Sequence, residues 1–142
     1  MERNEFLRLL GTGTLAACAG CALQSCSDDV VVVSPSIPPP TGVDFTLNLT
    51  EPANAALQTA GGSLSKDGLI IARLSATEFA ALSRSCTHQG TLVNYQSTPM
   101  NFLCPNHGSR FASTGSVING PAAVPLKKYN TELTGDNLRV FS

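Results

Sequence analysis

The sequence predicts an all-β fold, an antiparallel sandwich or small barrel. Three observations carry that expectation. The 142 residues include 12 Gly and 9 Pro but no Trp, a turn-rich composition. Apolar residues recur as short alternations broken by turn signals. No long segment keeps a 3.6-residue apolar period, and no internal repeat is present. The length suits one domain with a modest core. A formal charge of −1, with Lys127-Lys128 as the longest basic cluster, points away from nucleic acid as a partner.

Residues 1–17 read as an export signal rather than as part of the fold. Arg3 and Arg8 flank a short basic segment, and Leu9 to Ala17 is mildly apolar. Leu15-Ala16-Ala17-Cys18 resembles a bacterial lipobox, which would make Cys18 the lipidated N-terminus of a protein anchored on the periplasmic or cell-surface side of a membrane. Arg3-Asn4-Glu5-Phe6-Leu7-Arg8 resembles a twin-arginine signal with Asn4 in place of the second arginine; that route exports folded proteins. The alternatives are a cytosolic protein or an uncleaved anchor. The uncharged stretch Leu9 to Gln24, broken by Gly11, Gly13 and Gly20, falls short of the ~20 apolar residues a spanning helix needs.

Residues 18–40 read as a tether. Ser25-Cys26-Ser27-Asp28-Asp29 is polar, and Ser34-Pro35-Ser36-Ile37-Pro38-Pro39-Pro40 is proline-rich. Consecutive prolines favour an extended, semi-rigid spacer of about 3.1 Å per residue. Val30 to Val33 lies between them and is the one stretch here that could add an edge strand. Cys21 and Cys26 are a spare acylation site, a small disulfide or idle thiols.

The domain then runs over 41–142. Phe45, Leu47 and Leu49 alternate with Thr46 and Asn48, as in a half-buried strand. Ser63–Ser65 and Leu69–Leu74 flank Lys66-Asp67-Gly68, a strong hairpin signal. Phe79–Ser83 and Met100–Cys104 are apolar runs of strand length, and Arg110-Phe111 begins another. Glu132–Thr134 and Leu138–Phe141 close a last hairpin around Gly135-Asp136-Asn137. Phe45, Phe79 and Phe102 are the core candidates.

Two of these strands lead into loops that carry the chemistry. Cys86-Thr87-His88-Gln89-Gly90 and Cys104-Pro105-Asn106-His107-Gly108-Ser109 each supply one thiol and one imidazole, with a glycine directly or one residue beyond the histidine. Two thiolates and two imidazoles are the donor set in which histidines replace two cysteines on one iron of a two-iron, two-sulfur cluster. A structural zinc site uses the same donors, but its usual order places two cysteines before two histidines. A Cys86–Cys104 disulfide is chemically reasonable outside the cytoplasm, yet it leaves His88, His107 and the glycines unexplained.

The paired order C-x-H … C-x-x-H resembles the Rieske iron–sulfur family over about residues 62–141. The resemblance implies a Rieske-like fold with a cluster-binding loop subdomain, a [2Fe-2S] cluster as cofactor, and one-electron transfer. By that resemblance Cys86 and Cys104 would hold the inner iron, and His88 and His107 the outer. Gly90 and Gly108 would bring amide donors near the sulfurs. Gly115 to Ala122 matches the family's third loop, in which Gly120-Pro121 covers the cluster, and Pro125 to Tyr129 matches the strand after it. Ser109 matches the serine whose hydroxyl bonds a bridging sulfide.

Three positions depart from the pattern. Respiratory and photosynthetic members carry an extra cysteine in each loop, joined as a disulfide; here those positions are Thr91 and Asn106. The tyrosine whose hydroxyl bonds a cysteine sulfur is Phe111. Losing a charge-assisted donor lowers the potential, so the expectation is the lower or middle part of the roughly −150 to +300 mV Rieske range. The implied partner is a haem, copper or molybdenum protein, or a quinol whose oxidation would couple electron to proton at a ligand histidine. Gln89 stands where quinol-oxidising members are usually apolar. The sequence holds no nucleophile–base pair or nucleotide loop, so catalysis would belong to a complex in which this chain is the redox subunit. Arg84 and Arg110 flank the ligand loops as solvated charges or as steering groups for an acidic partner. Lys127-Lys128 reads as an exposed strand end, and Asp28-Asp29 as solubilising.

Overall fold

A computed structural model describes residues 37–142. The export signal, Cys18, Cys21, Cys26 and the Val30–Val33 run lie outside the described residues. Ten strands follow in order: β1 (Asp44–Asn48), β2 (Ser63–Lys66), β3 (Leu69–Arg73), β4 (Phe79–Ser83), β5 (Asn94–Ser97), β6 (Met100–Leu103), β7 (Arg110–Phe111), β8 (Val117–Asn119), β9 (Lys128–Thr134) and β10 (Asn137–Phe141). One 3-10 segment, Pro52–Leu57, connects β1 to β2. No helix among the described residues is long and apolar enough to cross a membrane.

The strands form two antiparallel sheets. Six order as β1-β10-β9-β4-β3-β2, and four as β5-β6-β7-β8. All pairs are antiparallel, so the all-β expectation is met. The β2–β3 hairpin turns on Asp67-Gly68, both at positive φ (49° and 80°), the geometry that makes Asp-Gly a hairpin signal. β4 is buried at every position, because β3 and β9 flank it in the sheet and cores cover both its faces. Alternate residues of β3 and β4 feed two cores. Ile71, Phe79, Ala81, Tyr129, Leu138 and Val140 pack on one side. Ile70, Ala72, Ala80 and Leu82 pack on the other, with Phe102, Phe111 and both loop cysteines. Phe79 and Phe102 are buried as expected, whereas Phe45 is half-buried.

The structure adds elements the alternation did not reveal. β5 and β8 are short and largely exposed. β9 begins at Lys128 and pairs there with Leu82 of β4. Lys128 is exposed as expected, but Lys127 is half-buried and its Nζ donates to the Pro40 carbonyl at 3.2 Å. Arg73 donates to the carbonyls of Leu57, Gln58 and Ser75, tying the 3-10 segment to β3.

Candidate metal centre

Both ligand loops are built the same way. In the first, the Cys86 amide donates to Thr91 O at 2.8 Å and the Gly90 amide returns to Cys86 O at 2.7 Å. In the second, the Cys104 amide donates to Ser109 O at 2.8 Å and the Gly108 amide returns to Cys104 O at 3.0 Å. The glycine therefore sits four residues after the cysteine in each loop, whichever residue carries the histidine. Gly90 and Gly108 adopt φ of 73° and 78°, where a side chain is strained. The shared frame explains why C-x-H-x-G and C-x-x-H-G are equivalent.

These frames set sulfur inward and imidazole outward. Cys86 and Cys104 are 0% and 2% exposed, free of any disulfide, and within hydrogen-bonding reach of each other. The disulfide alternative is therefore not realised. His88 is half-buried and His107 exposed, with ring centroids 4.9 Å apart at 79°. Burial pushes the Cys86 thiol up, and the neighbouring Cys104 adds to that; the amides of His88 and Gln89 point at the sulfur and pull the other way. Adjacent buried thiols with amide donors suit a bound cation, which deprotonates a coordinating thiol outright.

Two further groups have capacity to spare. His88 Nδ1 is buried without a hydrogen-bond partner, although buried polar atoms are nearly always paired. Ser109 is fully buried, and its Oγ accepts from the Ala122 amide at 3.0 Å. That bond does not use the hydroxyl's own proton, which can still donate. No three His, Cys, Asp or Glu side chains among the described residues converge on one point as a single ion needs. The donors come as a thiol pair and an imidazole pair, an arrangement suited to a two-iron cluster and poorly suited to tetrahedral zinc.

The loops are braced by hydrogen bonds between side chains that sequence reasoning did not single out together. Asn106 Nδ2 donates to Gln89 Oε1 at 3.2 Å, joining the two ligand loops. Thr87 Oγ1 donates to Val124 O at 2.6 Å, joining the first loop to the segment just after the third. Asn119 Nδ2 donates to Gly108 O at 3.3 Å and to Gly120 O at 3.0 Å. Gly120 and Pro121 are both exposed, and Ala122, like Asn119, reaches from the third loop to the second. Phe111 is fully buried among Phe102, Val93 and the two cysteines. Thr91 contributes only its backbone carbonyl.

Comparison with known proteins follows the same residues. The family model for the Rieske [2Fe-2S] domain matches residues 50–130. The cytochrome b6-f complex iron-sulfur subunit of Parasynechococcus marenigrum is 30% identical over 99% of this chain and 84% of its own. The corresponding subunit of Chlorobaculum thiosulfatiphilum is 41% identical over 41% of this chain, a match spanning 32% of that relative's length. The crystal structure of the cyanobacterial plasma membrane Rieske protein PetC3 from Synechocystis PCC 6803 superposes with a TM-score of 0.53 at 32% identity, covering 62% of this chain and 93% of that one.

Proposed function

Because this chain belongs to the Rieske [2Fe-2S] family, we propose that it is a membrane-tethered, extracytoplasmic one-electron carrier, the redox subunit or partner of a larger oxidoreductase. Cys86 and Cys104 would hold the inner iron and His88 and His107 the outer. The observation that supports this most directly is the matched loop frame, which buries both thiols and leaves both imidazoles at the outer edge. When bound, such a cluster supplies a single reversible electron with no open position for substrate.

The chain's own residues have distinct tasks around it. The His88 and Gln89 amides stabilise negative charge on the Cys86 sulfur. The Ser109 hydroxyl, fixed by the Ala122 amide, is a donor in a fully buried position. Phe111 excludes water without donating. His107, exposed, is the point of closest approach for a partner, and a lipid on Cys18 would keep the domain at a membrane.

A second reading is supported by the relatives' description as cytochrome b6-f complex iron-sulfur subunits: a quinol-oxidising subunit in which the exposed imidazole hydrogen-bonds the quinol. Gln89, exposed beside it, makes that edge more polar.

Electron paramagnetic resonance of the reduced protein, with iron and acid-labile sulfide analysis, tests the main reading. A mixed histidine–cysteine signal with equal iron and sulfide is expected. One zinc and no sulfide would sink it.

A further inference from the structure

Charge is divided unevenly along the folded chain. Between Glu78 and Glu132 lie Arg84, Arg110, Lys127 and Lys128 and not one Asp or Glu. That stretch contains both ligand loops and the third loop. The rest of the described chain has Asp44, Glu51, Asp67, Glu78, Glu132 and Asp136 against Lys66, Arg73 and Arg139. The loop-bearing part is therefore +4 and the remainder −3. Both ion pairs among the described residues, Lys66–Asp67 and Arg139–Asp44, lie in the acidic part.

The four cations are not equivalent. Lys127 is engaged by Pro40, and Lys128 shares a shallow hollow with Glu78. Arg84 is half-buried, with Nε directed at Val93 O. Arg110 is exposed, directly follows Ser109, and pairs only with neutral Leu103 and Asn119. It is the cation with least to hold it.

Of the five exposed large apolar side chains among the described residues, three lie beside the ligand loops and two, Ile37 and Met100, lie elsewhere. Leu92, Ile118 and Val124 are 46%, 58% and 58% exposed. Leu92 is bridged to Ser85, beside Cys86. Val124 receives the Thr87 hydroxyl. Ile118 precedes Asn119, which is bonded to Gly108. Leu92 and Val124 thus border the first ligand loop, and Ile118 the second. Exposed apolar groups on loops that also carry Arg84 and Arg110 compose a docking face, and complementary charge mainly sets orientation and association rate.

Resting on the electron-carrier reading, we propose that this end docks an acidic redox protein, with Arg110 as the principal steering group, Arg84 in support, and Leu92, Ile118 and Val124 as the dry contact. The partner accepts one electron and the carrier is left oxidised by one; no bond is made or broken.

The test uses the full-length, cluster-loaded protein in zwitterionic nanodiscs, with two c-type cytochromes as probes, one acidic and one basic. Binding is measured by surface plasmon resonance over a salt series, alongside binding to phosphatidylglycerol vesicles. Tighter, salt-sensitive binding of the acidic cytochrome is expected. Arg110→Glu should weaken it by about tenfold or more, Arg110→Lys should restore it, and Asp136→Lys in the β9–β10 turn, at the far end of the sheet, should leave it unchanged. No preference between cytochromes, or an Arg110 effect confined to vesicles, would overturn the proposal. Iron, sulfide and paramagnetic resonance on the same samples separate the outcomes: a missing cluster sinks the carrier reading and this proposal with it, whereas an intact cluster with no charge preference sinks docking alone.

Discussion

Ser109 Oγ accepts the amide proton of Ala122 at 3.0 Å, in a site with no solvent exposure at Ser109, and so joins the second ligand loop to the third. The bond has two consequences, since the oxygen is an acceptor for the backbone while its own proton remains a donor. Ser109→Ala removes both. It leaves a buried amide unpaired, which costs about 1–3 kcal/mol. It also removes a donor that favours the more negative, reduced state, so the potential should fall. Thermal unfolding and potentiometric titration of one variant measure the two effects separately; a stability loss with an unchanged potential would confine Ser109 to a structural task.

Phe111 offers the opposite experiment. Its ring lies fully buried against the same core as Cys86 and Cys104. Phe111→Tyr adds a hydroxyl donor there, and the potential should rise by roughly 60 mV, the one-electron equivalent of about 1.4 kcal/mol. The added oxygen needs room, so a stability loss of about 1–3 kcal/mol should accompany it. An unchanged or lower potential would refute a donor-based account of this position.

The ligand loops were legible because cysteine, histidine and glycine have few other reasons to recur in that order. Asp67-Gly68 was legible because its turn needs φ values that few pairs supply. β5 (Asn94–Ser97) and β8 (Val117–Asn119) were not, since both are short and lack a buried alternation. The braces were hidden for a different reason. Asn106 with Gln89, and Thr87 with Val124, lie 17 and 37 residues apart, and only the fold brings them together.

The Asn106–Gln89 bond joins the tips of the two ligand loops directly, with no covalent brace between them. It is exposed, so its net worth is about 0.5–1.5 kcal/mol at most. Asn106→Ala should barely move the unfolding midpoint, yet it frees both loop tips. Faster loss of iron to a chelator, followed by visible absorbance, is the expected readout. An unchanged rate would mean that the matched backbone frames hold the loops unaided.

Tyr129 makes a prediction about the tether and about alkaline pH together. Its hydroxyl donates to Pro40 O at 2.7 Å, the same carbonyl that receives Lys127 Nζ, and the Lys127 amine lies 5.0 Å from the Tyr129 ring centre. The last proline of the expected spacer is therefore held on the domain. Burial pushes the Tyr129 hydroxyl above its ordinary value of 10.0. A raised folded value means that the folded state holds its proton longer than the unfolded one. The associated stability is complete below about pH 10 and is lost as pH rises through the folded value. Tyr95, also shifted upward by burial, adds to the same limb. Tyr129→Phe should thus flatten, without abolishing, the alkaline decline in stability. It should cost about 1 kcal/mol at neutral pH through the lost hydrogen bond. It should also free the chain before Thr41, so that limited proteolysis trims closer to the domain; a variant with an unaltered cleavage pattern would show that Lys127 alone holds Pro40.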